Sequence, residues 1–64
     1  MDKILEIIKN DINEKQAQLS YALATSAAKD YAEYRAICGE IRGLSIAEGY
    51  VLDLAKKMES NDDD

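Results

Sequence analysis

The fold is decided by residues 31–54, YAEYRAICGEIRGLSIAEGYVLDL. At 100° per residue, this stretch forms a helix with two apolar faces that are separated by strips of charged residues. Glu33 and Glu40 lie on one strip, while Arg35, Arg42 and Asp53 lie on the other. One apolar face contains Tyr34, Ile37, Cys38, Ile41, Leu44, Leu52 and Ala55, and the opposite face contains Ala32, Ala36, Gly39, Gly43, Ile46, Tyr50 and Leu54.

The chain of 64 residues is too short to bury both faces. A core of this size usually needs disulfides, a metal or association with another chain. Cys38 is the single cysteine and histidine is absent, so an intrachain disulfide and a Cys/His zinc site are excluded. We expect no cofactor and no metal, and we expect the protein to be oligomeric or docked on a larger protein.

A first helix is predicted over residues 3–26, with the Asp2 carboxylate as its N-cap. Its apolar residues follow a helical period, and Leu5, Ile12 and Leu19 recur every seven residues. A break is expected at residues 25–29. Asp30 and Glu33 have the spacing of a capping box, which predicts the start of a second helix that covers residues 31–58.

A short connection between two helices makes them antiparallel neighbours, so the predicted fold is all-α, an antiparallel two-helix hairpin (αα-hairpin). One continuous helix is the alternative, because the alanine-rich residues 22–28 do not by themselves stop a helix. The predicted hairpin core consists of Ile4, Leu5, Ile8, Ile12, Leu19, Leu23, Tyr34, Ile37, Ile41, Leu44 and Leu52.

The charge is concentrated at the end of the chain. The net charge is −5, yet residues 1–58 carry nine acidic and eight basic side chains, so no basic patch for nucleic acid is present. Residues 59–64, ESNDDD, are predicted to form a disordered acidic tail. Such a tail is either a solubilising end or a site for a basic partner.

The second apolar face contains a row of small residues four apart, Gly39, Gly43 and Ala47. Each glycine costs about 0.8–1 kcal/mol relative to alanine inside a helix, and a close approach of another backbone would offset that cost. The alternative is that both glycines are tolerated at exposed positions. The predicted protein interface consists of Ala32, Ala36, Gly39, Gly43, Ile46, Ala47, Tyr50 and Leu54.

Motifs for catalysis are absent. Gly39 and Gly43 lie inside a helix and therefore do not form a phosphate-binding loop, and Cys38 has no histidine to activate it. A two-helix hairpin cannot enclose a substrate pocket, so we predict that the protein is not an enzyme. No apolar run is long enough to cross a bilayer and no signal peptide is recognised, so we expect a cytoplasmic protein without membrane contact.

Two segments, DYAEYR at residues 30–35 and GEIRGL at residues 39–44, resemble the second half of small helical-hairpin accessory proteins of tailed bacteriophages. The resemblance covers about half of the chain. It implies a non-catalytic accessory protein in the host cytoplasm or the virion, which docks on a larger assembly or on a host protein.

Two functional hypotheses follow. The first is a structural or adaptor protein, a bacteriophage virion component that packs through the small-residue face onto itself or a larger assembly. The second is a small phage-encoded regulatory binder or inhibitor of a host protein, which uses its acidic tail. Neither hypothesis includes direct binding to nucleic acid.

Overall fold

Two helices form an antiparallel hairpin in the computed structural model, which describes residues 1–25 and 28–62. Helix α1 spans Lys3–Ala24 and helix α2 spans Tyr31–Asp62, and these residues contain no strand. The helices pack along each other, with Gln16 beside Ser45 and the Met1 amine 3.7 Å from Glu59. The predicted all-helical hairpin is therefore confirmed, and the single continuous helix is excluded.

Helix α1 begins and ends with side-chain caps. The Asp2 carboxylate accepts hydrogen bonds from the backbone N–H of Ile4 at 2.8 Å and of Leu5 at 3.3 Å, as the sequence predicts for an N-cap. At the other end, the Thr25 hydroxyl donates to the carbonyl of Tyr21 at 2.9 Å. Thr25 thus competes for the last helical carbonyls and ends α1. Residue 26, the last of the predicted first helix, lies outside the described residues, as does residue 27 of the expected break.

Helix α2 begins at a capping box with a shifted return bond. The Asp30 carboxylate accepts from the Glu33 N–H at 2.8 Å. The Glu33 carboxylate accepts from the N–H of Lys29, at 3.0 Å, rather than from that of Asp30. Together, these two hydrogen bonds fix the start of α2 at the position that the sequence predicts.

The end of α2 differs from the prediction. The helix continues to Asp62, four residues beyond the predicted end at residue 58 and into the segment predicted to be a disordered tail. The physical reason lies partly in the other helix, because Glu59 pairs with the Met1 amine at the start of α1. Residues 63 and 64 lie outside the described part of the chain.

The contact between the helices is a coiled-coil-like seam with alternating spacings of four and three residues. Leu5 and Ala55 are buried, with 9% and 6% of their surface exposed, and no described side chain is fully enclosed. The remaining seam positions are half-buried. They are Lys9, Ile12, Gln16, Leu19 and Leu23 in α1, with Ile37, Ile41, Leu44, Glu48 and Val51 in α2.

Four residues of the predicted hairpin core are exposed instead. Ile4 is 68% exposed, and Ile8, Tyr34 and Leu52 are also exposed. Ile4, Ile8 and Leu52 are each next in sequence to a seam residue, which rotates their side chains to the flank of the seam. Tyr34 lies at the end of the hairpin that contains the connection, where the ring has solvent on one side and Tyr31 on the other.

The hairpin is long and thin. Its extents are 52 × 16 × 12 Å and its radius of gyration is 15.2 Å, whereas a compact domain of this length has a radius of gyration of about 11 Å. The chain exposes 5020 Å² to solvent, compared with about 4,100 Å² for a compact monomer of the same mass. Hairpin formation therefore leaves much apolar surface uncovered.

Candidate functional site

The outer face of α2 points away from α1. We define it by the apolar residues that recur there with spacings of four and three. All of them are exposed, whereas Ala47, which was predicted to belong to the same interface, is half-buried at the edge between this face and the seam. The outer face consists of Ala32, Ala36, Gly39, Gly43, Ile46, Tyr50 and Leu54.

The two glycines of the outer face have open space around them. Apart from the adjacent backbone of α2 itself, a Cβ atom built on Gly39 or on Gly43 meets no atom of the described residues within 4 Å. A side chain would therefore fit at either position in the free hairpin, and α1 is not what keeps these positions small. Each glycine still costs about 1 kcal/mol of helix stability relative to alanine.

Side-chain size changes along the outer face. The half near the start of α2 holds only alanine and glycine. The other half holds large side chains that solvent reaches, with exposed fractions of 51% for Ile46, 71% for Tyr50 and 47% for Leu54. The face thus has a shallow half and a protruding half.

Charged residues border the outer face on both edges, with Glu33 and Glu40 on one edge and three further charged residues on the other. Arg35 and Arg42 lie beside the shallow half, and Asp53 lies beside the protruding half. The guanidinium of Arg35 is 6.0 Å from the centre of the Tyr31 ring, which in turn stacks on Tyr34 with 6.3 Å between ring centres. None of the three charged side chains forms an ion pair in the part of the chain that the structure describes.

Tyr34 and Cys38 interact along α2, one helical turn apart. Hydrogen bonding with the Cys38 sulfur raises the pKa of Tyr34 above its usual value of 10.0. The charge interactions with Cys38 and Tyr31 and the desolvation of the phenol act in the same direction. Cys38 itself is a half-buried free thiol at the flank of the seam, in an environment that suits a small apolar side chain.

A second exposed apolar region lies at the end of the hairpin that holds Met1. Ile4, Ile7 and Ile8 of α1 are exposed there, and Leu54 and Met58 of α2 lie at the same level of the hairpin. The sequence argument assigned Ile4 and Ile8 to the core and missed this region. The signal was available, because Ile4, Ile7 and Ile8 have the spacing of a single helical face.

The described residues place exposed apolar side chains of α2 on the outer face. Over the described residues, no group of three histidine, cysteine or acidic side chains is placed to hold a metal ion. In the same residues, neither helix combines the length and the apolar composition needed to cross a bilayer. A depression beside Gly49, Leu52 and Lys56 is open to solvent along the hairpin.

No protein-family model, curated protein or solved structure matches this chain. Its function is therefore inferred from the chain's own residues.

Proposed function

We propose that the protein is a non-catalytic structural or adaptor protein that binds a protein partner through the outer face of α2. The partner is a copy of the chain or a larger assembly. The observation that carries the proposal is the open space at Gly39 and Gly43 on an exposed apolar face. Two glycines that lower helix stability and that no other part of the described chain approaches fit a surface on which another backbone lies closely.

The large residues of the same face support this proposal. Tyr50 and Ile46 protrude from the helix, and a tyrosine supplies a large contact area together with a polar hydroxyl that tolerates the edge of an interface. Charged residues are confined to the edge of the face, as in protein interfaces with an apolar centre and a polar rim.

The place of this interaction is proposed from the resemblance to phage hairpin proteins. Residues 30–35 and 39–44, which carry that resemblance, include three of the seven residues of the outer face, Ala32, Gly39 and Gly43. We therefore propose a bacteriophage virion component, made in the host cytoplasm. Immunoblotting of density-purified virions from a producing culture tests this assignment. The chain is expected in the virion band, and its absence from that band would argue for a role outside the particle.

A crosslinking experiment tests the interface itself. Tyr50 and Tyr21 are equally exposed, at 71%, but only Tyr50 lies on the outer face. Each tyrosine is replaced in turn by the photoreactive residue benzoylphenylalanine, and the producing cells are irradiated. A specific adduct is expected from position 50 and not from position 21, and mass spectrometry of the adduct identifies the partner.

A second variant makes the crosslinking result specific. Gly43→Leu places a large side chain in the centre of the outer face, whereas Gly49→Leu makes the same exchange at a glycine outside it that also has open space. Gly43→Leu is expected to abolish the adduct and Gly49→Leu to retain it. Equal adducts from both tyrosines, or an adduct that survives Gly43→Leu, would overturn the proposal.

The regulatory alternative, a binder that acts through the acidic tail, has less support. Glu59 pairs with the Met1 amine, and residues 59–62 continue α2 instead of forming a free acidic segment. Deletion of residues 59–64 is expected to leave the adduct from position 50 in place. Loss of the adduct on deletion would favour the alternative.

A further inference from the structure

We propose that the outer face of α2 binds a second copy of the same chain, with the two α2 helices antiparallel about a two-fold axis level with Leu44 and Ser45. This inference rests on the proposed function and names the partner. Pairing of this kind is isologous, because both copies use the same surface.

Side-chain size along the outer face favours the antiparallel direction. About the proposed axis, Gly43 of one copy lies opposite Ile46 of the other, and Gly39 lies opposite Tyr50. The protruding half of each face therefore packs on the shallow half of its partner, twice by symmetry. A parallel pair would instead place Tyr50 against Tyr50 and leave a gap between facing glycines.

Arg35 and Asp53, toward the two ends of the charged edge, agree with this register, whereas Arg42 lies near the axis and therefore beside Arg42 of the second copy. The two-fold axis is perpendicular to the plane that contains the α2 helices of the two copies. Each edge of the outer face in one copy therefore lies beside the same edge in the other copy. Arg35 and Asp53 lie on one edge at nearly equal distances on either side of the axis. Each Arg35 therefore lies beside Asp53 of the second copy, and the ion pair forms twice. In the free hairpin, neither residue forms an ion pair within the described part of the chain.

The amount of exposed surface fits an interface between two copies. The chain exposes 5020 Å², about 900 Å² more than a compact monomer of its mass. Each partner in a stable protein interface buries about 800 Å². The seam and the outer face lie on opposite sides of α2, so a second copy adds to the hairpin without displacing α1. The product is a row of four helices in the order α1, α2, α2, α1.

Charge reversal with mixing tests the pairing. Sedimentation velocity of the full chain, which has a mass of 7.1 kDa, is expected to give a dimer. Arg35→Asp alone places two acids together at each end of the interface, and Asp53→Arg alone places two bases together. Each variant is expected to raise the dimer dissociation constant about tenfold or more, because two attractive contacts become repulsive.

Mixing the two variants shows whether Arg35 contacts Asp53 of the second copy or whether the change in total charge weakens the dimer. In an equimolar mixture of Arg35→Asp and Asp53→Arg, each acid at position 35 or 53 of one chain meets a base of the other, so a heterodimer of wild-type strength is expected. The double variant is expected to restore the homodimer. Lys15→Asp and Glu14→Arg make the same charge changes at exposed positions of α1 and are the matched controls. Circular dichroism of each variant verifies that the helices remain intact.

Three results would overturn the inference. The wild-type chain could be monomeric at about 100 µM. Its dimer could be insensitive to both Arg35→Asp and Asp53→Arg, or the mixture of these two variants could remain monomeric. In any of these cases, a position-50 crosslink to a different protein would leave the proposed function standing. Absence of any position-50 adduct would remove the proposed function as well.

Discussion

Gln16 donates a hydrogen bond from Nε2 to the hydroxyl oxygen of Ser45, 3.0 Å away. This bond joins α1 to α2 near the middle of the hairpin. It is the one hydrogen bond between side chains of the two helices over residues 1–25 and 28–62. Gln16 also occupies a seam position, where an apolar side chain would bury more surface, so the contact contributes to register more than to stability.

Gln16→Leu is therefore expected to stabilise the hairpin, by about 1 kcal/mol. The hydrogen bond is exposed and contributes about 0.5 kcal/mol, whereas a leucine in the seam buries apolar surface against α2. Urea unfolding followed by circular dichroism, at one fixed protein concentration, measures the change. Gln18→Leu, at an exposed position away from the seam, is the control and is expected to change stability by less than about 0.5 kcal/mol. Destabilisation by Gln16→Leu would show that the hydrogen bond outweighs apolar burial at this site.

Asp30→Ala is expected to lower the free energy of unfolding by about 1 kcal/mol. The substitution removes the carboxylate that accepts the Glu33 N–H at the start of α2. Asp30→Asn keeps a side-chain acceptor there and is expected to retain most of the stability. Asp11→Ala, which removes an exposed acid in the middle of α1, is the control for the charge change. If Asp11→Ala and Asp30→Ala have equal effects in thermal unfolding, the loss of stability results from the removed charge and not from the removed N-cap.

Gly43→Ala and Gly49→Ala are expected to have the same effect on the isolated hairpin and different effects on association. Both positions have room for a methyl group, so each substitution should raise helix stability by about 0.8–1 kcal/mol under monomeric conditions. Only Gly43 lies on the outer face, so only Gly43→Ala should weaken the dimer in sedimentation equilibrium. If Gly43→Ala strengthens the dimer as much as Gly49→Ala does, the interface lies elsewhere.

Tyr34 is expected to lose its proton at a higher pH than an ordinary tyrosine. Hydrogen bonding with Cys38 raises its pKa in the folded chain above the unfolded value of 10.0. The folded state therefore favours the protonated phenol, and this contribution to stability is complete below pH 10 and is lost as the pH rises through the raised pKa. Ultraviolet absorbance of tyrosinate measures the titration. Cys38→Ala should lower the pKa of Tyr34, and Tyr34→Phe should remove the late-titrating component. A late component that persists in Tyr34→Phe would assign it to another tyrosine.

Local features of the fold were predictable from the sequence because they depend on neighbouring residues. Asp2 caps α1, and Asp30 with Glu33 caps α2, as their spacing indicates. The break before Asp30 was predicted without a glycine or proline to mark it. Thr25 supplies the physical reason, since its hydroxyl binds the carbonyls of the preceding turn.

The rotation of each helix about its axis was harder to predict. Ile4, Ile8 and Leu52 are more apolar than Lys9, Gln16 and Glu48, yet the latter three occupy the seam. Long side chains can place their methylene groups in a thin interface and keep their polar ends in water. The pairing of two whole helices sets the rotation, so the choice at any one position does not follow from its hydrophobicity. The helical conformation of residues 59–62 likewise accompanies a contact with the other end of the chain.

For the candidate site, the sequence predicted the composition of the outer face, and the structure adds its surroundings. Gly39 and Gly43 were expected to allow a close approach, and the structure shows that α1 does not make that approach. Ala47 lies partly in the seam, which only the packing of α1 could reveal. The identity of the partner is not encoded in the periodicity and stays a prediction, as does the relation to phage proteins.

The absence of a fully enclosed side chain in the described residues has a consequence for hydrogen–deuterium exchange. With a single layer of contact between two helices, no subset of amides is held by a deeper core than the rest. The backbone amides of the free hairpin should therefore exchange through a common opening of low free energy and without a slow-exchanging group. If association slows the exchange of some amides, those amides would identify the turns of α2 that contact the partner, because all other amides exchange rapidly.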